Sequence, residues 1–149
     1  MTAEEQIRYL RSPQAVLDAQ DYLSQALRLD NSISLKLAQL DSLRQKRRRL
    51  YRALGKSPED QPTEPELKER EDEVLADYSA LLRLQKDIAS HIRQVPDARQ
   101  RSVLELRYLE HMPFFRIAMA LNYDERHIYT LHRAGLRHIA AQRIQEING

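Results

Sequence analysis

Between Pro13 and Gly55 the chain runs for 41 residues without a glycine or a proline. Over that length Leu23, Leu27, Ile33, Leu37, Leu40, Leu43, Leu50 and Leu54 recur mostly at steps of three and four, with Asp30 and Arg47 standing in two of the places where the pattern is interrupted. Steps of three and four return to one face of an α-helix, and a stretch this long without a turn residue leaves a helix as the economical solution. Ser12 offers a hydroxyl to cap its start. Pro13 suits the first turn, where its missing N–H would have had no partner. The pattern predicts one helix of roughly forty residues, about 60 Å at 1.5 Å per residue, longer than a small globular core needs.

Composition points the same way. Six prolines and three glycines in 149 residues are too few for the turns of an all-β fold, and β-branched residues are sparse. With no cysteine, disulfides and thiolate zinc sites are excluded. The first residues, MTAEEQIRYL, carry acids and no apolar stretch of the signal-peptide kind, and no run approaches the length of a membrane span, so a cytoplasmic protein without a membrane partner is expected.

GKSPEDQPTEP, residues 55–65, gathers one glycine and three prolines and reads as a loop. Thr63 and Glu66 have the spacing of a capping box for a second helix. Leu67, Val74, Tyr78, Leu81, Ile88, Ile92 and Val95 follow on alternating steps, with Glu71 and Gln85 in the vacant slots, which makes a coiled-coil-like seam. A short connection between long helices favours antiparallel neighbours, so residues 1–95 are expected to be a helical hairpin. Leu17, Leu29, Leu35, Leu75, Leu82 and Leu84 lie off the main stripes and call for a further helical partner, here a second copy of the chain in a homodimer or higher oligomer.

RQKRRRLYR, residues 44–52, is the most concentrated charge. Arg44, Lys46, Arg47, Arg48, Arg49 and Arg52 either pair with the acids Glu64, Glu66, Glu69, Glu71, Asp72 and Glu73 at the start of the second helix, or bind a phosphate backbone. The first reading is the favoured one, with exposed pairs contributing at most about 1 kcal/mol each and fixing register more than stability.

Residues 96–149 form the second expected domain. Pro96 ends the hairpin, Asp97 caps a third helix, and Val103, Leu104, Leu106, Tyr108 and Leu109 supply its apolar side. In MPFFRIAMALNYDERHIYTLHRAGLRHI, Pro113 opens a short helix with Phe114, Ile117, Ala118 and Leu121 inward. Asn122 tolerates the left-handed conformation that ends a helix, and Asp124 caps the next one. Helix, tight turn and capped helix make the DNA-reading helix-turn-helix. On the last helix Ile128, Leu131, Gly135 and Ile139 share one side, with Gly135 marking a close crossing, while Arg126, Thr130, Arg133 and Arg137 fall opposite, flanked by His127 and Tyr129 with Glu125 at the start. Such a face either meets water or reads base edges: arginine bridges guanine O6 and N7, glutamate accepts from cytosine N4, and threonine or tyrosine reaches a base or a phosphate. His132, close to the inward arc, is expected to be a hydrogen-bonded structural residue. His111, His127, His132 and His138 lack the spacing of a metal set, so no metal and no cofactor are expected.

LELRYLEHMPFFRIAMALNYDERHIYTLHRAGLRHI resembles region 4 of bacterial sigma factors, and the wider pattern, from YLSQALRLDNSISLKLAQLDSLR through IAMALNY, resembles a phage and prophage family of uncharacterised proteins with sigma-region-4-like ends, akin to phage late-gene transcription regulators. Asn122 stands where sigma factors usually have glycine, and Phe115 where the phage family commonly has tryptophan. The resemblance implies base contacts from Glu125, Arg126, His127, Tyr129, Thr130 and Arg133. Phosphate contacts are expected from Arg116, Arg137 and Arg143. The expected function is a sequence-specific, promoter-binding regulator that engages double-stranded DNA and touches host RNA polymerase. The alternative is a protein-interaction module that binds polymerase or a DNA-packaging component through the same surfaces. No phosphate loop, nucleophile elbow or convergent carboxylate pair points to an enzyme.

Overall fold

A computed structural model describes residues 1–57 and 65–148, and every regular element among them is helical. The elements are α1 (Ala3–Arg11), α2 (Pro13–Ser24), α3 (Ala26–Ala53), α4 (Pro65–Arg93), α5 (Ala98–Leu104), a wider π-helical turn (Glu105–Leu109), α6 (Phe114–Leu121) and α7 (Glu125–Asn148). No described helix is long and apolar enough to cross a membrane.

The single long helix expected from Pro13 is two helices. The i→i−4 ladder is interrupted at Gln25, whose N–H turns to the carbonyls of Tyr22 and Leu23 and whose side-chain amide also donates to Tyr22 O. Gln25 keeps right-handed helical dihedrals, so the periodicity carries through the break and the sequence pattern cannot see it. Ser12 does not cap α2 through its side chain; its hydroxyl donates backwards to Tyr9 O and closes α1. α1, not expected from the sequence, opens on a capping box: the Thr2 hydroxyl accepts from Glu5 N while the Glu5 carboxylate accepts from Thr2 N. The capping box expected at Thr63 lies outside the described residues.

Packing divides the chain into two compact units, Leu29–Gln85 and a second one made of Met1–Arg28 with Lys86–Gly149. These limits differ from the division at residue 95 read from the sequence, because α2 packs on α7 and the end of α4 is tied to the same helix.

In the unit of residues 29–85, Val74 is fully buried and Leu67, Tyr78 and Leu81 half-buried, as the seam predicts. The polar residues that interrupt each stripe meet one another. Asp30 accepts from the Gln85 amide at 3.4 Å, and Arg47 Nη1 lies 2.7 Å from Glu71 Oε2. With Lys36 on Asp77 at 3.1 Å, rising positions on α3 match falling positions on α4. Leu37 and Leu54 of the first stripe are exposed, and the buried aromatic there is Tyr51, which the leucine spacing passes over.

In the other unit, His91 joins three elements: its Nδ1 is 2.7 Å from the Tyr22 hydroxyl and 2.8 Å from Asp87 O, and its Nε2 is 2.7 Å from Glu146. The Arg143 guanidinium lies 4.1 Å over the Tyr22 ring. Asp97 caps α5 as expected, accepting from the amides of Arg99 and Gln100, and the Gln100 bond foremost holds its carboxyl below the usual range. Gly135 lets α7 approach α5: a Cβ there would stand 2.9 Å from Leu104 Cδ1 and 3.2 Å from its Cγ, and Leu104 is fully buried. Gly135→Ala therefore destabilises by about 1 kcal/mol net, overpacking of about 1–3 kcal/mol outweighing a propensity gain of about 1 kcal/mol. In a Leu104→Ala background the same substitution becomes stabilising; equal effects in both backgrounds, by urea denaturation, would contradict the contact.

Candidate nucleic-acid interface

Pro113 leads into α6 with extended dihedrals, and backbone bonds from Asn122 and Tyr123 fix the three-residue turn that follows Leu121. Asn122 adopts φ 56°, ψ 45°, the left-handed conformation read from its position. Its N–H bonds Ala118 O and Met119 O, and the N–H of Tyr123 reaches back to Ala118 O at 3.0 Å, so these two carbonyls near the end of α6 are satisfied without a continuing helix. α7 then opens with Ile128 N donating to Asp124 O at 3.2 Å.

Ile117 and Ala118 of α6 and Ile128 and Leu131 of α7 form one buried cluster with Val103, and Leu106, Phe114, Leu121 and Tyr123 pack around it. Further along α7, His132, Gly135, Leu136 and Ile139 are buried too. His132 has the structural role expected of it, its Nε2 2.7 Å from the Tyr108 hydroxyl and its ring edge-on to Phe114. Burial, aided by the nearby Arg107 and Arg133 charges, pushes the His132 pKa down to about 4, and burial pushes Tyr108 up to about 12.

With that side of α7 committed to the core, Glu125, Arg126, Tyr129, Thr130 and Arg133 stand exposed on the opposite side, and half-buried His127 leans edge-on against Tyr123. The Thr130 hydroxyl donates to Arg126 O at 3.2 Å, leaving its oxygen free to accept, and the Tyr129 hydroxyl is 3.5 Å from the Glu125 carboxylate. Arg126 and Arg133 make no ion pair with a described residue. The six residues expected to meet bases thus lie together on the first three turns of one helix.

The three residues expected to meet phosphates do not form one group. Arg116 is exposed on α6. Arg137 donates to Leu10 O at 2.8 Å, and Arg143 covers Tyr22, so each has a partner inside the unit. No signal in the local sequence tells that α1 and α2 return to α7. The nearest hint is Ala15 and Ala19, both fully buried, whose small side chains at an i,i+4 spacing permit a close crossing. Between α2 and α7 an open groove of about 610 Å³ runs past Leu17, Phe114, Tyr129 and Arg133. Phe115 and Met119 form an exposed apolar pair on α6, 57% and 76% accessible. Among the described residues no three histidine or acidic side chains are grouped to hold a metal.

Comparison with protein-family models, with curated proteins and with solved structures finds no match to this chain.

The His132 environment has a measurable consequence. Between its unfolded pKa near 6.5 and about 4 the unfolded chain binds a proton that the folded one refuses, so stability rises with pH across that window and falls on acidification. The loss approaches about 3 kcal/mol at the acid end. His132→Gln, which keeps a hydrogen-bonding end for Tyr108 without a titrating ring, is expected to flatten the stability profile between pH 6.5 and 4.5; an unchanged slope would place the titration elsewhere.

Proposed function

We propose that this chain is a non-catalytic, sequence-specific DNA-binding regulator of transcription, with α6 and α7 acting as a helix-turn-helix of the sigma-region-4 type and α7 as the reading helix. The observation that carries the reading is the exposed set Glu125, Arg126, Tyr129, Thr130 and Arg133 on the opening turns of a helix whose other side is anchored by Ile128, Leu131 and Gly135. A major groove admits one helix, and side chains near its N-terminus reach base edges there. Arginines without an internal ion pair can meet guanine without first breaking one. Arg116 supplies a phosphate contact from α6, and Arg137 and Arg143 contribute where their remaining donors reach the backbone. The resemblance to phage late-gene regulators supports a promoter-proximal role alongside host RNA polymerase.

Residues 29–85 are taken as an antiparallel hairpin that holds two copies together. Support comes from the descending order of its cross-helix pairs and from Leu35, Leu75 and Leu82, which remain exposed within that unit. Sedimentation should give a dimer or higher oligomer at micromolar concentration, and Leu35→Glu combined with Leu82→Glu should shift it toward monomer; a wild-type monomer well above micromolar concentration would remove this part of the reading.

The DNA reading is tested by selecting bound sites from a random duplex pool and then comparing variants on the selected site and on a scrambled duplex. Arg126→Ala should cost about 1–3 kcal/mol on the selected site, relax preference at one base position and change little on the scrambled duplex. Equal losses on both would take Arg126 out of base reading. A second reading, a module that binds polymerase or a packaging component, is favoured by the exposed Phe115 and Met119 pair on α6; failure of the pool to yield any preferred site would move the assignment there.

A further inference from the structure

Residues 44–52 hold six basic side chains and no acidic one. Among the described residues mutual neutralisation with the acids of α4 accounts for one of them, and Glu64, also expected as a partner, lies outside the described residues. Arg47 projects into the seam onto Glu71, whereas Arg44, Lys46, Arg48, Arg49 and Arg52 are exposed and make no ion pair with a described residue. The geometry of a helix explains the shortfall. At about 100° per residue, Arg48, Arg49 and Arg52 point at least about 100° away from Arg47, so a single neighbouring helix cannot reach them. Nearby Glu73 is taken by Arg70 of its own helix.

The helix dipole does not explain the run either. Its benefit to a cation fades within the last turn, which in α3 includes Arg52 but not Arg44, Lys46, Arg48 or Arg49. Five of the six residues are arginines. A face that serves only to stay hydrated has no need of planar, bidentate donors, whereas phosphate oxygens are matched by them. From 44 to 52 the helix advances about 12 Å, and that length of duplex carries about seven phosphates. The segment expected to read bases is meanwhile nearly balanced: residues 97–149 contain eight arginines and six acids. It has little charge with which to hold a polyanion.

We propose that the exposed basic face of α3 over residues 44–52 is a second, sequence-independent contact with the DNA phosphate backbone, separate from the reading face of α7. The inference rests on the DNA-binding reading above and divides its labour: α7 chooses the site, and α3 supplies affinity that depends on salt. Arg47 belongs to the seam and takes no part.

The test is fluorescence anisotropy with the full chain, on a selected duplex and a scrambled one, over a series of salt concentrations. Combined Arg48→Gln, Arg49→Gln and Arg52→Gln should lower the slope of log affinity against log salt by about 2 to 3, each phosphate contact being worth about 0.9. The loss should be the same factor on both duplexes, leaving site preference intact. The corresponding triple lysine variant should keep the slope. An unchanged slope in the glutamine variant, with selective binding intact, overturns this proposal alone and leaves the reading helix standing. Loss of site preference in the glutamine variant overturns the sequence-independent role, and a lysine variant that fails like the glutamine one assigns the effect to folding and overturns it as well. A basic-face effect seen on single-stranded RNA or on phosphatidylglycerol vesicles but not on duplex overturns the choice of partner. Absence of any duplex binding by the wild-type chain overturns both this inference and the reading it rests on.

Discussion

The contact of Gly135 with Leu104 fixes which side of α7 can face outward. A helix that carries Ile128, Leu131, Gly135 and Ile139 on one side settles against α5 and α6 only if the backbone at Gly135 comes within side-chain contact of Leu104, and the absent Cβ is what permits it. Once that approach is made, rotation about the helix axis is settled. Arg126, Thr130 and Arg133 are outward because the opposite arc has no other way to be buried. Tyr108 and His132 complete the lock, a polar pair inside the apolar surround whose hydrogen bond would be lost on any turn of the helix.

The unit of residues 29–85 obeys a different rule. Its apolar stripes are interrupted, and each interruption is answered from the other helix: Asp30 by Gln85, Arg47 by Glu71. Sliding one helix by a turn would set Arg47 and Glu71 against apolar neighbours without a partner, a far larger cost than the modest attraction of the pair itself. The polar residues therefore specify register while the leucines supply the burial. Five exposed cations of α3 find no ion-pair partner among the described residues, which is why they carry a separate inference.

Much of this was legible. The period of Leu67 to Val95 gives the buried face of α4, Asp97 gives a cap, Asn122 gives a left-handed turn, and the inward stripe of α7 follows from spacing alone. Each depends on interactions within a few residues, so a local pattern carries it. The break at Gln25 was not legible because its dihedrals stay helical. Ser12 misled because a hydroxyl at a helix junction can serve either neighbour, and here it serves α1. The exposed Leu37 and buried Tyr51 follow from how α3 is rolled about its axis, which leucines and Ile33 at unequal steps leave loosely defined.

What the sequence determined by itself was the all-helical class, the ends of several helices and the polar arc that α7 presents, since helix periodicity and capping chemistry are properties of neighbouring residues. What only the tertiary structure decided was which distant elements meet: that α2 and the end of α4 come to α7, that Arg137 donates to Leu10 and Arg143 covers Tyr22, and that one cation of the basic run finds an acid among the described residues while the rest do not. The reason is the same in each case. A side chain's partner on a distant helix is set by the burial of whole helical faces, and no short-range pattern contains that sum.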